Sequence, residues 1–131
     1  MPHSSSHRKY IAVVGASTDR KKFGNKCVRA YARAGWRVYP IHPVEEEIEG
    51  FEAYPSIRHL PTPVDRVSMY LPPARGIEAL DDIQKLQPKE LWLNPGTESP
   101  ELLAKAKKLK LNVVQACSIV AIGISPATLP E

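Results

Sequence analysis

Strand-length apolar runs alternate with apolar stripes of helical period along this chain, and that alternation restricts its fold more than any other feature. Residues 10–14 (YIAVV) form a β-rich run closed by Gly15. Cys27, Val28, Tyr31, Ala32 and Ala34 follow as a helical stripe ending at Gly35, a residue suited to the turn after a helix. Residues 36–41 (WRVYPI) read as a second strand and 51–54 (FEAY) as a short edge strand. Ser56 caps a brief helical turn that Pro61 stops. Residues 66–71 (RVSMYL) form the next strand, and Ile77, Leu80 and Ile83 recur at helical spacing. Leu91-Trp92-Leu93 is a further strand. Ser99 as cap, Pro100 behind it and Glu101 in the first turn open a helix that carries Leu102, Leu103, Ala106 and Leu109. Residues 112–116 (NVVQA) close the series. Strand and helix in strict succession argue for an α/β protein, an open parallel sheet with helices on both faces.

A chain of 131 residues suffices for one such domain, expected over 9–125 between an N-terminal tail, 1–8, and a C-terminal tail, 126–131. The stretch MPHSSSHR at the start lacks the apolar core of a secretory signal, and no apolar run reaches the roughly 20 residues of a membrane helix. Two cysteines far apart, Cys27 and Cys117, make no disulfide framework, so a cytoplasmic protein with no membrane partner is expected. A net charge of +4 favours acidic partners only mildly, and no basic-aromatic motif points to nucleic acid. The densest basic stretch, 105–110 (KAKKLK), suits the solvated end of a helix.

In open α/β sheets ligands bind beyond the carboxyl ends of the strands. Here those ends read Gly15-Ala16-Ser17-Thr18, Pro40-Ile41-His42-Pro43, Leu71-Pro72-Pro73 and Asn94-Pro95-Gly96-Thr97. Backbone amides and small hydroxyls gathered on one rim suit an extended anionic ligand. The first loop fits neither the dinucleotide pattern, which needs glycine at Ser17, nor the P-loop, which needs it at Arg20. It still offers Gly15 for close backbone approach, the hydroxyls of Ser17 and Thr18, and the charges of Arg20, Lys21 and Lys22. Gly24 and Asn25 open the helix whose free amides attract anions. The plainer reading is that the hydroxyls satisfy turn amides. A dinucleotide site for NAD has an acid at the end of the second strand; this chain has His42-Pro43 there, which leaves NADP or coenzyme A (CoA).

Catalytic signals are sparse. His42 has no acidic partner by sequence, and no carboxylate pair, metal-ligand cluster or nucleophile–base spacing stands out. Cys27 falls within the helical stripe and reads as core. Cys117 follows the last strand near the rim, where it either packs or meets a ligand thiol in a redox or acyl-transfer role. Residues 119–124 (IVAIGI) read as core cover or a subunit contact.

VVGAS at 13–17, YPIHP at 39–43, GFEAYPSI at 50–57, LPP at 71–73 and LWLNPGTES at 91–99 occur in an order that resembles the small CoA-binding-domain proteins. These are similar to the N-terminal CoA-binding domain of the succinyl-CoA synthetase alpha subunit. The resemblance covers residues 9–118 and implies a Rossmann-like fold with strand order 3-2-1-4-5-6. It implies that Gly15, Ala16, Ser17 and Thr18 contact the phosphates of CoA or an acyl-CoA, with Lys22 and Asn25 as helpers. Pro40, His42 and Pro43 match the segment along the adenosine, although many relatives have asparagine where this chain has His42. Tyr70 to Pro73, with Leu71 and Pro72 between them, and Asn94, Pro95 and Gly96 through Glu98 match the nucleotide and pantetheine path. The synthetase's phosphorylated histidine belongs to another domain, so ligase activity does not follow from the resemblance.

Overall fold

The computed structural model describes residues 8–131; the expected tail 1–8 falls, apart from Arg8, outside the described residues. Five strands form one parallel sheet: β1 (Tyr10–Val14), β2 (Arg37–Ile41), β5 (Arg66–Met69), β6 (Glu90–Leu93) and β7 (Val113–Gln115), in the order β2-β1-β5-β6-β7. Between β2 and β5 lies a small antiparallel hairpin, β3 (Glu47–Ile48) with β4 (Phe51–Glu52).

Strand alternation sends side chains into two cores. Ala12, Val14, Val67, Met69, Leu91 and Leu93 face helices α2 (Pro73–Leu86) and α3 (Pro100–Lys108), whose Leu80, Ile83, Leu102 and Ala106 meet them. Ile11, Val13 and Val38 face helix α1 (Phe23–Arg33), where Cys27, Val28, Ala30 and Tyr31 are completely buried. Each fully buried aliphatic side chain contributes about 1.5–3 kcal/mol, so the two faces hold the sheet from both sides. Ile119 and Leu129 close the α1 core. The last residues pack on α1 as well: Arg29 donates to the Pro130 carbonyl at 2.6 Å and Lys26 pairs with Glu131 at 3.6 Å.

The expected order 3-2-1-4-5-6 needs correction at its first member. Residues 51–54 add no sixth strand; Tyr54 alone bridges Ile41. The Tyr54 amide donates to the Pro40 carbonyl at 2.9 Å, and the His42 amide donates to the Tyr54 carbonyl at 3.0 Å. The next rung toward the start of β2 needs an amide proton on residue 40, and Pro40 has none. The ladder therefore stops after one bridge, and residues 51–52 pair with β3 instead.

Register determines where a ligand can sit. Val14 lies opposite Ile41 and Met69, Met69 opposite Leu93, and Leu93 opposite Gln115. The strands end level, so the segments that follow share one rim. Chain direction across the sheet reverses between β1 and β5, which makes that crevice the topological switch point. The opposite rim is closed by Arg66, whose guanidinium lies 5.0 Å from the Trp36 ring and 4.5 Å from the Trp92 ring and 2.8 Å from a Glu90 carboxylate oxygen. Both tryptophans are thus engaged away from the ligand rim.

Candidate functional site

A cleft of about 590 Å³ opens at the switch point, within the range typical of ligand sites. One wall is the loop after β1, with Gly15, Ala16, Ser17 and Lys22; the second is the end of β2, with Ile41, His42 and Pro43. The segment Pro55–Ile57 stands beside it. Tyr70, Leu71 and Pro72 lead from β5 into α2, which adds Arg75, Ala79 and Asp82.

The first loop is held by its own polar groups. The Ser17 hydroxyl accepts from the Asp19 amide at 3.0 Å, and the Asp19 carboxylate accepts from the Lys21 amide at 3.0 Å. The turn role read from the sequence is therefore real, yet the Ser17 hydroxyl proton stays free to donate. Asn25 is fully buried and spent. Its Nδ2 donates to the Ser17 carbonyl at 2.9 Å and to Glu49 at 3.0 Å, while its Oδ1 accepts from Arg29 at 2.7 Å. It positions the loop from below and does not line the cleft. Of the three loop cations, Lys22 lines the cleft, whereas Arg20 turns to Glu49 at 3.3 Å.

Gly15 has a φ of +92°, and a Cβ there would lie 3.0 Å from the Tyr70 carbonyl carbon. The close approach that glycine permits is thus to the end of β5. A Cβ on Gly24 would fall 2.2 Å from the Gly15 carbonyl oxygen, so the first turn of α1 is seated directly on the loop.

Three helices begin on the rim, and their starts differ. Helix α3 has the Ser99 hydroxyl accepting from the Leu102 amide at 3.1 Å and Glu101 in its first turn. Helices α1 and α2 have no side-chain cap and no acid in the first turn. Instead, cleft-lining cations stand there: Lys22 at the cap position of α1 and Arg75 in the first turn of α2. A cation at a helix start opposes the macrodipole, so both positive ends and both side chains favour an anion between them.

The β2 side of the cleft is different. Ile41, Pro43, Pro55, Ile57, Leu71 and Ala79 give it an apolar surface. The His42 Nδ1 accepts from the Val44 amide at 3.0 Å and the Glu45 amide at 2.9 Å, so the ring proton lies on Nε2 as a donor. Asp82, the one carboxylate among the lining residues, pairs with Arg58 at 3.6 Å.

Some expected site residues lie elsewhere. Thr18 is exposed outside the cleft, Pro40 is buried in β2, and Pro73 is the first residue of α2. Gly96 turns with φ +91° while its amide donates to Glu98 at 3.0 Å. Asn94 and Pro95 line a separate pocket of about 190 Å³ together with Phe23, Tyr70 and Cys117. Arg75, Ala79 and Asp82 line the cleft outside every strand-end motif, and Ser56 and Ile57 line it from the segment 50–57, to which the sequence assigns no site role. For Arg75 a signal existed: a basic residue in a first turn opened by Pro72-Pro73 stands against the helix dipole.

Cys27 is completely buried, and burial pushes its thiol up to about 11 although it is hydrogen-bonded to the hydroxyls of Ser68 and Ser118. Burial also raises the Tyr70 phenol strongly. Cys117 is only partly buried. Among the described residues, no cluster of three His, Cys, Asp or Glu could hold a metal, and no helix is long and apolar enough to cross a membrane.

Residues 9–123 match the model of the CoA binding domain. The chain belongs to that family. Over 63 residues, 47% of its length, the protein is 40% identical to the alpha subunit of acetate–CoA ligase [ADP-forming] II of Pyrococcus furiosus. That stretch is only 14% of the ligase subunit. A conserved hypothetical protein of P. furiosus superposes with a TM-score of 0.78 at 32% identity, over 87% of this chain and 98% of that one. A Thermus thermophilus protein superposes with a TM-score of 0.79 at 33% identity, over 88% of each chain. The α/β Rossmann-like fold is thus shared with chains of similar size.

Proposed function

We propose that this protein binds coenzyme A in the switch-point cleft, with the diphosphate on the loop of Gly15–Ser17 and the adenosine along the end of β2. One observation carries the reading: two helices without caps or first-turn acids converge on a single cleft, each with a cation, Lys22 or Arg75. The third helix of the rim, which adds no residue to this cleft, has both a cap and an acid. That contrast within one molecule favours an anion at this place. The apolar β2 side, with the His42 Nε2 proton beside it, suits a purine and its phosphorylated ribose. Family membership and the CoA named in the related ligase agree with this ligand. Binding, without a reaction of its own, is the activity proposed.

A melting experiment tests it. A ligand at a hundredfold excess over its dissociation constant stabilises the fold by about 2.7 kcal/mol, so CoA should raise Tm by several degrees. NAD and NADP at equal concentration should raise it less. A larger shift with either dinucleotide would overturn the proposal.

A further inference from the structure

We infer that the 190 Å³ pocket beside the cleft takes the acyl chain of a short-chain acyl-CoA, and that the thioester binds more tightly than free CoA. The inference rests on the proposed placement of CoA in the main cleft.

The two spaces adjoin. Tyr70 lines both, and Phe23, a wall of the small pocket, directly follows Lys22, which lines the cleft. A single extended ligand can therefore reach from one to the other across Tyr70.

The chemistry of the small pocket is that of a hydrocarbon site. Its polar side chains are already spent. Asn94 Nδ2 donates to Ser68 Oγ and to the Met69 carbonyl, each at 2.9 Å, and Asn94 Oδ1 accepts from the Ser118 amide at 2.8 Å. The Tyr70 hydroxyl is 3.3 Å from Ser118 Oγ. Phe23 and Pro95 offer only carbon, and Cys117 a weakly polar thiol. Water in such a space finds too few partners, whereas an apolar cavity of about 150 Å³ accepts benzene. A terminal thiol alone would leave most of the volume unfilled; a chain of roughly four to six carbons would fill it. Phe23 is 53% exposed, so part of its ring is open to an apolar group seated in the pocket.

The test is calorimetric titration, under reductant, with CoA and its acetyl, butyryl and hexanoyl thioesters. Each methylene taken up should tighten binding about fourfold, so butyryl-CoA should exceed acetyl-CoA by roughly fifteenfold. In Cys117→Phe, which fills the pocket, and in Phe23→Ala, which removes a wall, the ratio of butyryl-CoA to CoA affinity should collapse toward one. Phe23 is exposed, so its variant keeps the test open if the other fails to fold. Equal binding of CoA and all thioesters, or tighter binding of free CoA, would overturn this inference and leave the proposed CoA site standing. Failure of the wild type to bind CoA or any thioester would remove both.

Discussion

Ser17 has two tasks that one substitution can separate. Its oxygen accepts from the Asp19 amide within the turn, and its proton is free for a phosphate. Ser17→Ala should cost about tenfold to hundredfold in CoA affinity, the worth of one hydrogen bond to a charged group, roughly 1.5–3 kcal/mol. The loss of the exposed turn bond should move Tm little; calorimetry and a melting curve check the two parts separately. The cysteines differ as clearly. Cys27 is sealed in the α1 core with its thiol raised to about 11, and Cys117 is partly accessible. A thiol reagent on the folded protein should modify one cysteine, and peptide mass mapping should identify Cys117. Labelling of Cys27 without unfolding would refute that burial. A raised thiol pKa favours the folded state fully below the ordinary value of about 8.5, and that contribution is lost as pH rises toward 11. A Cys27→Ala variant should therefore show a flatter decline of stability between those pH values.

At the scale of elements, the glycines at the start of α1 fasten helix to loop. Gly15→Val is no clean probe of ligand contact, because its side chain would meet the β5 end at a φ of +92°. Gly24→Ala drives a methyl group into the Gly15 carbonyl. It should destabilise by about 1–3 kcal/mol or more and lower Tm by roughly 4–12 °C. An unchanged melting curve would mean that α1 does not rest on the loop. The elements themselves were legible because apolar period changes between strand and helix, and Leu80, Ile83, Leu102 and Ala106 all reach the core that their spacing implies. The edge was not legible. Pro40 breaks the outer ladder through one missing proton, and which way that position faces depends on the sheet being assembled.

The whole molecule shows a related limit in the site. Level strand ends put Gly15, Ser17, His42, Pro43 and Pro72 on one cleft, as the strand-end motifs implied. Asn25 and Asn94 looked like ligand donors, but both amides are consumed in holding loops, and sequence does not reveal which polar groups are already paired. Arg75 is the converse case: the sequence marks a basic residue in a first turn, but that it faces the crevice follows only from the direction of the uncapped start of α2. The charge arrangement at the cleft has a direct measurement. CoA titrated calorimetrically into wild type and Arg75→Glu should bind the first and bind the second at least tenfold more weakly, because a charge-assisted contact worth roughly 1.5–3 kcal/mol is replaced by repulsion. No measurable CoA binding by wild type, or undiminished binding by Arg75→Glu, would contradict it.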